Sequence, residues 1–270
     1  MKRILISVVL AAICLSSFGQ KQEEKKKFQI KGQPIVTVFA NYHAGIGNAN
    51  KESGFALDRA YLGYQFSLTE KLSGKVVFDM GSTKVSGSDL ERVAYIKNAM
   101  LSWKTGNFTL DFGLIGLEQF NVQEKFWGYR YIMKSFQDEY KFGSSADMGI
   151  LGKYKFTKWL SADITISNGG GYKKLNGDNK YRYAVGATIL PVKNLTLRAY
   201  YDLASKNIEE DETKDQQNLA FFAGYKHELF SIGAEYNQMY NTKFKEDNDQ
   251  SGFSVYSTQA GRSIQSLRKI

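Results

Sequence analysis

The residues that could do chemistry in this chain are charged side chains set at alternate positions within apolar segments. In LSADITIS, Asp163 stands between Ala162 and Ile164. In LTLRAYYDLA, Arg198, Tyr200 and Asp202 share one beat, and Leu197, Ala199 and Tyr201 share the other. Side chains repeating with period two line one face of an extended segment. Arg59, Lys75, Asp79, Asp111, Lys153, Lys155, Asp163, Arg182, Arg198, Asp202, Lys226 and Glu235 all fall on the polar beat. Seven cations beside five anions leave a weak surplus of positive charge. Such a face can line a wet passage and filter solutes by charge, or it can neutralise itself across neighbouring strands.

Other chemistry has little to stand on. The chain has two His, His43 and His227, and they fall near opposite ends of their segments, so no shared nucleophile–base pair is expected. There is no Gly-x-Ser-x-Gly elbow. One Cys and two His cannot build a zinc cluster without heavy carboxylate help. Asn176-Gly177-Asp178-Asn179 and Glu246-Asp247-Asn248-Asp249 lack the full ligand spacing of a calcium loop. Gly169-Gly170-Gly171 lacks the helix and Lys-Ser/Thr of a phosphate cradle, and Glu209-Glu210-Asp211-Glu212 reads as a solvated acidic loop. The expectation is a protein without catalytic residues, metal or cofactor, and without a nucleic-acid partner.

These side chains need strands to carry them. The chain has 270 residues, 43% hydrophobic and 14% aromatic, with 25 Gly and 2 Pro, a composition that favours strands and tight turns and is too apolar for a disordered chain. Alternation predicts up to twelve strands, at 34–43, 56–68, 73–82, 93–104, 107–116, 146–157, 160–168, 181–190, 195–204, 218–228, 230–240 and 251–258. Short turns follow the even strands and long polar loops follow the odd ones, which is the layout of an outer-membrane barrel. Aromatics near strand ends, such as Tyr64, Phe66, Trp103, Phe108, Tyr154 and Tyr183, suit interface girdles. A soluble barrel would show the same alternation with the apolar face turned inward.

The first nineteen residues read as an export signal. Lys2 and Arg3 precede the apolar run Ile4–Ile13, and Ser17-Phe18-Gly19 supplies the small residues of a cleavage site. Cleavage there also removes Cys14, the chain's one cysteine, and leaves a mildly basic mature protein. The domain plan is a signal peptide over 1–19, a periplasmic tail over 20–33, an all-β transmembrane antiparallel barrel over 34–258 and an atypical basic tail over 259–270.

The segment FALDRAYLGYQFSLTEKLSGKVVFDMG (55–81), with Arg59-Ala60-Tyr61 and Asp79, resembles the early strands of Gram-negative porins of the phosphate-selective porin O and P group, in forms typical of Bacteroidetes-like bacteria. A second resembling stretch is 130–156, closing on Asp147-Met148-Gly149. The resemblance implies an outer-membrane pore, monomeric or a homotrimer, usually with more strands than are visible here. Its partners would be outer-membrane lipid and small hydrophilic solutes. In such porins the long loop corresponding to 117–145 folds inward as a constriction. That segment is aromatic, and helical between Val122 and Tyr140 by expectation. Arg130, Lys134 and Lys141 would then face the permeant, with Glu124, Asp138 and Glu139 opposite. The competing expectation is an exposed lid packed on its own aromatics. Phosphate specificity finds no ladder of inward cations. The functional expectation is a passive diffusion channel, and the alternative is a non-conducting barrel that acts through its long loops. Beyond Thr258 alternation is lost, so either the twelfth strand pairs with the first or the product is truncated or frameshifted there.

Overall fold

A computed structural model describes residues 31–44, 53–82, 92–174, 180–206, 213–259 and 262–269. The export signal, the tail as far as Ile30, and the Asn176–Asn179 and Glu209–Glu212 motifs lie outside the described residues. Those described all belong to one unit, Lys31–Ile270.

Among the described residues thirteen strands form one sheet in sequence order. They are β1 (Lys31–Ala44), β2 (Ser53–Ser67), β3 (Leu72–Ser82), β4 (Arg92–Thr105), β5 (Phe108–Gly116), β6 (Ala146–Lys155), β7 (Leu160–Ser167), β8 (Arg182–Ile189), β9 (Leu195–Ala204), β10 (Gln216–Lys226), β11 (Phe230–Tyr240), β12 (Gln250–Gln259) and β13 (Arg262–Lys269). Every ladder is antiparallel. Among the described residues β1 and β13 are the two edges of the sheet. No helix among them is long and apolar enough to cross a membrane, which says nothing of strands.

The turns explain the strand ends. Gly106 takes φ 54° in the two-residue connection between β4 and β5, a left-handed conformation that glycine adopts without strain. Thr69 and Thr157 play the same part in two longer turns. Each hydroxyl oxygen accepts from the backbone N–H groups two and three residues on, which pins the turn locally.

Burial is inverted relative to a water-soluble protein. Phe112 is 58% exposed and Ile164 62% exposed, and the apolar beats of β8, β10 and β11 are open likewise. Asp202 and Asn237, on the other beat, are both 0% exposed. Large apolar rings and branched chains left in water across a whole sheet would be strongly unfavourable. Lipid around that face removes the cost, which favours the membrane barrel over the soluble alternative.

Two expectations are corrected here. The strands do not stop at Thr258: β12 runs to Gln259, and Arg262–Lys269, assigned to the atypical tail, is β13, in register with β12 from Gln259↔Arg262 to Gly252↔Lys269. β12 therefore pairs with β11 and β13, not with β1. Strand formation here follows backbone pairing across a short connection after an even strand, as at every earlier even strand, and needs no clean side-chain alternation. The loss of alternation past Thr258 marks no break in the sheet. At the other end, Lys31, Gly32 and Gln33, assigned to the tail, begin β1.

Candidate functional site: the polar face and the inward segment

The strands carry the polar beat into a row of cross-strand ion pairs. Arg59 Nε lies 3.2 Å from Asp79, from β2 to β3. Lys153 Nζ lies 2.8 Å from Asp111, from β6 to β5. Arg182 lies 2.8 Å from Asp202, from β8 to β9, and Arg198 grips Asp163 with two nitrogens at 2.8 and 3.1 Å. Arg198 and Asp163 stand on β9 and β7, so their bond spans β8. Gly186 of β8 leaves the room: a Cβ there would sit 2.5 Å from Arg198 Nη2 and 2.7 Å from Asp163 Oδ1. Gly186→Ala should push the pair apart and cost roughly 1–3 kcal/mol, as overpacking does. The unfolding midpoint in detergent checks this; an unchanged midpoint would contradict it.

Of the twelve residues expected on this face, eight are thus consumed in four pairs. Lys75, Lys155 and Lys226 are in no ion pair among the described residues, and they stand toward the short-turn ends of β3, β6 and β10. Glu235, on β11, takes hydrogen bonds from Phe136 N and the Tyr256 hydroxyl instead. Two further residues escaped the alternation. A bulge sets Val77 opposite Asn98 and Phe78 opposite Ile96, so Lys97 falls out of the ladder. Its Nζ turns to the Tyr61 hydroxyl at 3.0 Å. Tyr172, in the connection from β7 to β8, reaches across to donate its hydroxyl to Asp79 at 2.7 Å. Burial, and next that hydrogen bond, push the Tyr172 hydroxyl above its ordinary range.

The segment after β5 folds onto this polar face. It holds two short helices, α1 (Asn121–Trp127) and α2 (Phe136–Glu139), rather than one helix from Val122 to Tyr140. Gly128 ends α1 in the left-handed conformation, φ 74°, and Trp127 Nε1 donates to Met133 O at 3.0 Å across the turn that follows. The apolar side of α1 meets β10–β12: the ring centroids of Phe126 and Phe222 are 5.2 Å apart, and those of Trp127 and Tyr256 are 5.4 Å apart. Gly224 and Gly233 make the close approach, since a Cβ on either would meet the Phe126 ring within 3 Å. Arg198 Nη2 donates to Glu118 O at 2.8 Å, and Asn218 Nδ2 donates to Phe142 O at 3.0 Å. Fully burying rings such as Phe126 and Phe136 stabilises each by about 1.5–3 kcal/mol.

The charges of this segment are arranged differently from expectation. Cations and anions do not stand across from one another: Arg130 binds Glu124 at 3.0 Å and Asp138 at 2.7 Å, and Lys134 lies 3.6 Å from Glu139. Lys141 is exposed, with a positive φ of 59°. The reason is the Gly128 turn, which folds α2 back so that Asp138 and Glu124 converge on one guanidinium. Burial alone would lower Arg130, but Glu124, Tyr61 and Asp138 outweigh it and hold the guanidinium above its ordinary value. Burial pushes Glu124 up, with Arg130 only partly offsetting it. Arg59, Arg92, Arg130 and Lys134 border an open cavity of about 820 Å³ between β1–β2 and this segment.

Between segment and wall lies a polar seam that the sequence did not reveal. Gln119 donates to Gln137 Oε1 at 2.9 Å and to Phe142 O at 3.2 Å. Glu235 Oε1 accepts from Phe136 N at 3.2 Å and from the Tyr256 hydroxyl. Gln and Asn scattered in a loop and on two strands carry no spacing signal; only their shared burial marks them.

No family model matches the chain, and no curated protein sequence matches it. Solved structures do. The outer membrane channel DcaP of Acinetobacter baumannii aligns with a TM-score of 0.57 at 10% identity, over 91% of this chain and 81% of that one. In-vitro folded OmpT, an outer membrane protein of Vibrio cholerae, aligns with a TM-score of 0.52 at 13% identity, over 92% and 77%. A mutant of the Rh. blastica porin gives 0.52 at 12%, over 88% and 84%. At these identities the likeness is one of fold, and the fold is the all-β barrel sheet of outer-membrane porins.

Proposed function

We propose that this chain is a passive diffusion channel of a Gram-negative outer membrane, with the charged face toward a water-filled lumen and 117–145 as its constriction. One observation carries the reading: the sheet exposes its apolar face and buries its charges, and the long segment packs on the charged side. Lipid would lie against one face and solute would pass the other. Four neutralised pairs keep the wall polar without a strong field, and Lys75, Lys155 and Lys226 leave a modest positive bias toward the short-turn mouth. The solutes are then small and hydrophilic with a weak preference for anions. The proposal extends to the phosphate-selective porin O and P group, on the Arg59-Ala60-Tyr61 and Asp79 resemblance, and to a homotrimer, which native mass in detergent would check. It assigns no catalytic role.

Single-channel recording of refolded protein in a planar bilayer tests the reading. Discrete steps with an anion-favouring reversal potential in a KCl gradient are expected. A heat-modifiable, properly folded barrel without conductance would point instead to the non-conducting alternative, for which the dense packing of 117–145 on β10–β12 is the supporting observation. Lys75→Gln, Lys155→Gln and Lys226→Gln together should abolish the anion preference and leave conductance little changed. A reversal potential equal to that of the unaltered protein would remove these residues from the role.

A further inference from the structure

We propose that the open cavity between β1–β2 and the inward segment is a subsite for a neutral pyranose sugar, entered from the long-loop mouth. It has the proposed channel as its setting and names a solute class for it. The cavity, of about 820 Å³, falls in the size range of small-molecule sites, roughly 300–1,000 Å³. Its wall residues stand toward the long-loop ends of their strands: Arg92 opens β4, and Ala56 and Arg59 lie in the first half of β2. Its charges nearly cancel. Arg59 is bound to Asp79, Arg130 to Glu124 and Asp138, and Lys134 to Glu139. The remaining lining charges, Arg92 and Asp58, are of opposite sign. An ion of either sign therefore gains little there, whereas paired charges still offer donors and acceptors to hydroxyl groups.

Apolar surface opens on the same space. Tyr131 is 62% exposed and Ile132 60%, although Phe126, Trp127 and Phe136 of the same segment are buried. The turn that presents them is fixed from within. Ile132 N and Met133 N both donate to Tyr129 O, at 2.8 and 3.2 Å. The Tyr129 ring touches those of Trp127 and Tyr131, with centroids 5.3 and 5.9 Å away. From the wall, Phe39 lines the cavity beside its ladder partner Arg59, its ring braced against Tyr61 at 5.7 Å. Phe39 is thus an apolar ring on the polar beat. A simple ion would leave these rings in water, and an apolar solute would leave the charges without partners. A pyranose suits both. Its C–H faces pack on aromatic rings, and its rim hydroxyls donate to carboxylates and accept from guanidinium groups. Because the turn and the ion pairs are already set, little ordering entropy opposes binding.

Isothermal titration of maltotriose into the folded full chain, in an amine-oxide detergent that carries no sugar, tests the site. Saturable binding is expected. Tyr131→Ser should weaken it about tenfold, as loss of a stacking ring would, and Phe39→Ala severalfold. Sorbitol, which has hydroxyls but no ring face, should not bind. In planar bilayers maltotriose should lower the ion current reversibly, with half-block near the calorimetric Kd. Binding by a folded barrel that carries no ion current would support the subsite and fail only the channel reading. No binding of maltotriose by a folded barrel would overturn the subsite, and where that barrel still conducts the channel reading stands. Equal affinity in the unaltered chain and in both ring variants would also overturn it, as would tighter binding of glucuronate than of glucose.

Discussion

Deleting residues 121–138 should at least roughly double the single-channel conductance, because a helical element about 10 Å across would leave the lumen. The segment is the bulk of what covers the polar face of β10–β12, with Phe126, Trp127 and Phe136 fully or almost fully buried there. It begins and ends close together on the sheet, at β5 and β6, which pair directly from Gly116↔Ala146, so its removal need not disturb the ladders. A gentler variant tests the same point: Phe126→Ser with Trp127→Ser keeps the chain length but loses about 3–5 kcal/mol for each aromatic anchor. It should give a noisier channel with larger openings. Heat-modifiability on gels reports that the barrel still forms. Unchanged conductance in both variants, with folding intact, would refute the constriction role and favour a segment that merely covers one wall.

Arg198→Met should lower the free energy of unfolding by about 3–5 kcal/mol, as expected when one partner of a buried ion pair is removed. Arg198 holds Asp163 with two nitrogens, Thr188 Oγ1 at 3.0 Å and Glu118 O at 2.8 Å. Its loss strands a buried carboxylate across β8 and unties the start of the inward segment. Arg198→Met combined with Asp163→Asn should recover a large part of the loss, since the stranded charge is then gone. Urea titration of the folded protein in detergent, followed by tryptophan fluorescence, measures both variants. A loss below about 1 kcal/mol for Arg198→Met would place the pair with solvated surface bridges and remove it as a structural tie. A double variant no better than the single would show that the hydrogen bonds to Thr188 and Glu118, not the ion pair, carry the effect.

Much of the sheet was legible in the residues. Alternation is a local property, two residues long, and a membrane barrel repeats it in almost every strand; β7 and β9 can be read directly from LSADITIS and LTLRAYYDLA. The sorting of short and long connections is equally local, since Gly106, Thr69 and Thr157 build their turns within three residues. β13 was missed because RSIQSLRK does not alternate cleanly, and backbone pairing with β12 decides it. Lys97 was missed because a bulge moves one side chain off the beat, and no composition rule places a bulge.

The site divides along the same line. The sequence by itself determined which charged residues share a face, because period two leaves each strand no other choice. Only the tertiary structure decided which face is exposed and which is buried, because alternation reads the same inside out. It also decided who pairs with whom. Arg198 meets Asp163 over an intervening strand, Tyr172 reaches Asp79 across 93 residues, and Arg130 draws Glu124 and Asp138 together through the Gly128 turn. Glu235 looked like one more wall charge. Its hydrogen bonds from Phe136 N and the Tyr256 hydroxyl exist only where the loop is pressed against β11 and β12. Contacts between segments far apart in the chain depend on sheet curvature and loop folding, and neither leaves a mark at fixed residue spacing.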